Sequence, residues 1–160
     1  MLQKLLLTAM LTTSLFGVEI VINKSQVISK IPKKSPFVRD NSKEIVTNIK
    51  TGLIWQDDAS VKSVTKDWSD AKRYCKNLNF AGYSDWFLPT ISQLESLADT
   101  KRYNPAIKKE FKNVISSRYW SSSPDVSNSS SAWNVYFKYG YSYRNRKTYN
   151  YYVRCARAGQ

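Results

Sequence analysis

The chain has 160 residues, enough for one domain with a real hydrophobic core, and aromatic residues make up 14% of it. Its formal charge is +13, from 25 Lys and Arg against 12 Asp and Glu, and histidine is absent. That composition excludes histidine-based catalysis and histidine metal sites, the commonest forms of both.

Residues 1–17 read as a secretory signal peptide, with Lys4 as the positive region and residues 5–16 as a short apolar run. The run falls short of the about 20 residues that a membrane-spanning helix needs. Cleavage fits after Gly17, with Ser14 as a second position, and no Cys lies nearby to carry a lipid anchor. The mature chain is therefore expected to be exported, to the periplasm, the cell surface or the medium, with no transmembrane anchor. Residues 18–36 read as a basic linker or arm, in which Pro32 and Pro36 bracket Lys33 and Lys34. A globular domain is expected over residues 37–160.

Within that domain, residues 46–48 and 53–56 flank a turn ending in Gly52, which predicts a hairpin. Trp68, Ala71, Cys75 and Leu78 recur at helical spacing behind Asp67, a suitable N-cap. Thr90 and Gln93 have capping-box spacing ahead of the apolar stripe Leu94, Leu97 and Ala98, which predicts a second helix. Residues 119–122, 132–137, 141–145 and 151–157 read as strands, and residues 127–131 as a surface loop. Helices first and strands last predict an α+β fold. Export places Cys75 and Cys155 in an oxidising compartment, where an even pair favours a disulfide. The alternative, a nucleophilic thiol, has no histidine to activate it.

Residues 133–147 alternate rings with cations, and no Asp or Glu follows Asp125. Alternation puts Trp133, Val135 and Phe137 on a core face and Asn134, Tyr136 and Lys138 on a solvent face. Beyond Gly140, Tyr139, Tyr141 and Tyr143 fall on one side, with Ser142, Arg144 and Arg146 opposite and Lys147 following. In the last strand Val153 and Cys155 are expected inward, and Tyr152 and Arg154 outward. The candidate ligand-binding residues are thus Tyr136, Lys138, Tyr139, Tyr141, Tyr143, Arg144, Arg146 and Lys147. Tyr rings would stack on sugar faces while Arg and Lys meet sulfate, phosphate or carboxylate.

Several segments resemble a known family. They are residues 51–56 (TGLIWQ), 82–86 (GYSDW) with 88–90 (LPT), 120–123 (WSSS), 132–137 (AWNVYF) and 152–155 (YVRC). Over residues 40–158 the chain resembles the Lcl C-terminal domain, a bacterial domain of unknown function named for a collagen-like adhesin. The resemblance implies a C-type-lectin-like fold of the formylglycine-generating-enzyme type, two helices packed on a small twisted antiparallel sheet. It also implies a disulfide from the first helix to the last strand, where Cys75 and Cys155 stand. Phe87 departs from the family, which usually has Arg there. The namesake adhesin domain recognises sulfated glycosaminoglycans, and some relatives are diversified by retroelements in late strands rich in Asn, Tyr, Ser and Arg, the composition of residues 134–151.

Asp57 and Asp58 suggest a calcium site of the lectin kind, but the calcium-and-sugar motifs are missing: Val135 stands where Trp133-Asn134 would be followed by an acid. No phosphate-binding glycine loop, zinc cluster or Gly-x-Ser-x-Gly elbow occurs, and no motif selects a catalytic pair among Asp57, Asp58, Asp85, Glu95 and Asp99. The expectation is an exported, non-catalytic binding module without cofactor or metal, taking an anionic glycan or other surface polymer. The alternative is a structural component of the cell envelope that docks on a protein or on surface polymer. Nucleic acid would suit the charge, but export removes it as a physiological partner.

Overall fold

The computed structural model describes residues 11–15, 18–22 and 35–159. The rest of the expected leader and arm lies outside the described residues. Strands β1 (Leu11–Leu15) and β2 (Val18–Ile22) pair antiparallel with Leu15 opposite Val18, inside a unit spanning residues 1–35. Residues 36–160 form a second compact unit.

The second unit is α+β, with two sheets where one was expected. Strands β3 (Phe37–Asp40), β4 (Ile45–Asn48) and β5 (Leu53–Gln56) form a meander, with Gly52 at φ 73° closing the β4–β5 turn. A single 3-10 turn (Ala59–Lys62) and the short β6 (Thr65–Lys66) lead into helix α1 (Trp68–Lys76). Asp67 caps α1 as its position predicts, accepting from the Asp70 amide at 2.8 Å. Helix α2 (Ile91–Glu95) is a five-residue helix held by the full Thr90–Gln93 capping box. Leu97 and Ala98 therefore lie beyond its end. Strands β7 (Arg118–Pro124), β8 (Ser131–Tyr136) and β9 (Tyr141–Arg146) follow where alternation predicts them.

The expected last strand is two strands in different sheets. Residues Tyr151–Tyr152 are β10, which joins a five-stranded sheet of order β6-β10-β7-β8-β9. Residues Ala156–Ala158 are β11, which pairs with β5 in a four-stranded sheet of order β11-β5-β4-β3. Residues 153–155 carry the chain from one sheet to the other.

The five-stranded sheet packs part of a core on each face. Successive strand residues point to opposite sides, so Tyr119 enters one core with Leu94, Leu97, Ile107, Val135 and Phe137. Trp120 enters the other, with Ala71, Trp86, Leu88, Ala132 and Val153. Of the expected core, Leu94, Leu97, Val135, Phe137 and Val153 are buried. Trp68, Leu78 and Trp133 are only half-buried. Trp68 lies at the rim, donating Nε1–H to the Ser121 carbonyl at 2.8 Å.

Cys75 and Cys155 are joined in a disulfide, both fully buried in the second core with Cα atoms 5.5 Å apart. Cys155 stands directly before β11 rather than within a strand, so the bond ties α1 to the crossover. Arg154, expected to point outward, is fully buried. Its Nη1 donates to the Asp57 carboxylate and to the Gln56 carbonyl, each at 2.7 Å, and Nη2 to the Asn113 carbonyl. Alternation fails there because the crossover breaks the strand, and because a buried carboxylate offers Arg154 a better place than solvent. Arg39 of β3 also pairs with Asp57, and the Lys112 and Asn113 amides complete the set at 2.9 and 3.2 Å. Burial lowers the Arg154 pKa to about 10, which leaves it charged at neutral pH.

Two stability outcomes follow from these bonds. The disulfide closes a sequence separation of 80 residues, so Cys75→Ala should cost about 4–5 kcal/mol in the oxidised protein and nothing under reducing conditions, by urea unfolding. Asp57→Ala strands two buried or half-buried guanidinium groups and should cost about 3–5 kcal/mol. A loss below about 1 kcal/mol would show that this network is incidental.

Candidate functional site

The β7–β8–β9 register builds one face row by row. Arg118 pairs with Tyr136 and Tyr136 with Tyr141; Trp120 pairs with Asn134 and Asn134 with Tyr143. Directly opposed residues present side chains on the same face. Tyr151 of β10 joins this face, its ring 4.6 Å from Trp120.

The β8–β9 turn is rigid for a local reason. Gly140 sits at φ 79°, and a Cβ there would come within 3.3 Å of the Ala106 side chain and 3.4 Å of Ala98. The Ala106 amide donates to the Phe137 carbonyl at 2.7 Å, and the Asn104 amide to that of Lys138 at 3.0 Å. This stitching brings Tyr103 against Tyr139, with ring centroids 5.7 Å apart. Tyr139 then meets Tyr136 at 5.2 Å, and Tyr136 meets Tyr143 at 6.3 Å. Tyr103, Tyr139, Tyr141 and Tyr143 are exposed.

Arg118 lies among these rings. Its guanidinium carbon is 4.3 Å from the Tyr143 centroid, 4.8 Å from Tyr136 and 6.0 Å from Tyr151. Nη1 donates to Asn134 Oδ1 at 3.1 Å. Asn134, expected on a solvent face, is fully buried. Its amide donates to the Tyr143 carbonyl and to Asn145 Oδ1, both at 3.0 Å, so it serves as a polar floor under Arg118. Burial pushes the Tyr151 hydroxyl pKa up, against the opposing pull of Arg118, and the group stays neutral at neutral pH.

The eight sequence-derived candidates do not share one surface. Tyr136, Tyr141 and Tyr143 occupy the tyrosine face, and Lys138 and Tyr139 sit at its turn, 5.3 Å from ammonium to ring centroid. Ser142, Arg144 and Arg146 lie on the opposite side of β9, as alternation predicts. Arg144 lies over Trp133 at 5.3 Å and 3.7 Å from the Asp125 carboxylate. Arg146 is exposed opposite Ser131. Lys147 lies past β9, donating to the Ser129 carbonyl at 2.6 Å and facing Trp68 at 4.4 Å. Sequence reasoning missed Arg118, Tyr103 and Tyr151. Only the long-range register and the turn stitching bring them to the site, although a cation directly before Tyr119-Trp120 was a usable hint.

The acidic groups are engaged elsewhere. Asp57 is held by arginines, and Asp58 accepts from Gln56 Nε2 at 2.9 Å and Ser60 Oγ at 2.8 Å. Among the described residues no cluster of three acidic or Cys side chains could hold a metal ion. A groove of about 410 Å³ lined by Trp86, Thr90 and Gln93 lies apart from the tyrosine face.

An α+β domain with a disulfide-tied helix and a ring-covered sheet face is the class that these features define. Residues 44–157 match the Lcl C-terminal domain, well over half of the chain, and the protein belongs to that family. The match runs from β4 to β11 and includes Asp57 and Arg154, while Arg39 falls outside it. No curated protein matches the chain.

Asp125 gives a pH outcome. The hydroxyl and amide of Ser127 hold its carboxyl below the usual carboxylate range. A depressed folded pKa stabilises above the ordinary value, near pH 4, and that contribution is lost as pH falls through the folded value. Asp125→Asn should therefore remove part of the acid dependence of unfolding, measured by denaturant midpoint from pH 6 to 2, and change nothing in its slope above pH 6.

Proposed function

We propose that the protein is an exported, non-catalytic binding module of C-type-lectin-like fold that holds an anionic glycan or related surface polymer on its tyrosine face. The observation that carries this reading is the continuous run of rings Tyr103, Tyr139, Tyr136 and Tyr143 on a rigid turn and sheet, with Lys138 beside it. Tyr rings give flat contact area at small entropic cost and suit the apolar faces of sugars. The surplus of positive charge adds long-range attraction for a polyanion. The paired cysteines support export, because disulfides persist in oxidising compartments. A helix tied to the segment before the last strand supports the lectin-like assignment. The absence of histidine and the internal use of Asp57 support a role without catalysis.

A glycan array read at low and high salt tests the proposal. Saturable binding to acidic glycans that weakens with salt is expected, because released counterions oppose association. Replacing Tyr139, Tyr141 and Tyr143 by Ser should weaken binding at every salt concentration, since stacking is not screened. Neutralising Arg144, Arg146 and Lys147 together should flatten the salt slope, with a modest loss of stability from the Arg144–Asp125 and Lys147–Ser129 contacts. Silence across the array would favour docking on a protein, for which β9 ends the five-stranded sheet. Hydrolysis of a spotted glycan would make the protein an enzyme.

A further inference from the structure

We infer that Arg118 is the residue that fixes the anionic group of the ligand, taking one carboxylate or sulfate ester of a sugar chain in the plane of its guanidinium. The inference rests on the glycan reading above and assigns its specificity to a single side chain. Five other arginines are paired with carboxylates: Arg39 and Arg154 with Asp57, Arg73 with Asp70, Arg144 with Asp125 and Arg157 with Asp85. Arg118 has no such partner among the described residues. Among the described residues its side chain's only hydrogen bond is to Asn134 Oδ1, which uses one of five N–H donors. Among the described residues the buried side-chain atoms without a hydrogen bond are Trp55 Nε1 and Arg154 Nε, so the free donors of half-buried Arg118 reach solvent.

The surroundings leave those donors in a useful direction. Tyr136 and Tyr143 stack near the guanidinium, and Asn134 holds it from below. What remains is the edge of the fork, which matches the paired oxygens of a carboxylate or sulfate. Arg102 and Arg146 also lack a carboxylate among the described residues, but both are exposed and no described ring frames either of them.

The test compares binding to dextran sulfate, polygalacturonate and unmodified dextran for the wild-type chain, Arg118→Met and Arg118→Lys. Arg118→Met is expected to weaken binding to the two acidic polymers about tenfold or more, the usual scale of a charge-assisted pair. Arg118→Lys should recover only part of this, because an ammonium is a point charge without the fork. Affinity for unmodified dextran should stay as in the wild type, while the unfolding midpoint falls modestly for Arg118→Met, because buried Asn134 Oδ1 loses its donor. The acidic polymer that loses more identifies the preferred anion. Wild-type affinity of folded Arg118→Met for both acidic polymers would overturn the inference. So would an equal loss for unmodified dextran, since Arg118 would then only shape the tyrosine face. If Arg118→Met fails to fold, full wild-type affinity of Arg118→Lys overturns it instead. A wild-type chain that binds none of the three polymers would sink the glycan reading itself, and this inference with it.

Discussion

The Asp57 carboxylate is the contact on which the rest of the domain depends. It directly follows β5 and receives Arg39 from β3, Arg154 from the crossover and two backbone amides from residues 112–113. Three other segments converge on this one buried acid. Apolar packing alone is tolerant of small slips. A charged group with directed partners is not, because any misplacement leaves a buried charge unpaired. The position where the chain leaves one sheet for the other is therefore set by hydrogen-bond geometry. Phe111 packs against Arg154 with the guanidinium 4.8 Å from its ring, so the polar centre joins the apolar core without a gap.

This anchoring lets the five-stranded sheet work on both sides. One face is committed to the core around Tyr119 and Phe137. The other is divided: near α1 it packs Trp120 and the disulfide, and toward the β8–β9 turn it opens into tyrosines. The tyrosines and Arg118 thus stand on the same strands that carry the core, and their positions inherit its rigidity. Loops could not hold Arg118 and Asn134 in so fixed a relation.

Much of this was legible in the chain. Asp67 and the Thr90–Gln93 box mark both helix starts because capping is a local chemistry read over a few residues. The inward Val135 and Phe137 follow from period-two alternation, and the cysteine pair from the compartment that the leader implies. Alternation failed where its premise failed. It assumes one wet face, so it placed Asn134 in solvent and treated residues 151–157 as a single strand with Arg154 outside. Arg118 was invisible for a related reason: its role depends on strands β8 and β9, and no local pattern states which strands will be neighbours.

The pairing of β11 with β5 joins residues about a hundred positions apart, with Ala156 opposite Trp55. Arg154 and Cys155 belong to the same closing segment. Neither the four-stranded sheet nor the charge balance at Asp57 can be completed until residues 154–158 have joined residues 53–57. Contacts of such separation form late, after the loop-closure entropy has been met. The two sheets of this design therefore close together, since one short segment carries the Asp57 pair, the disulfide and β11.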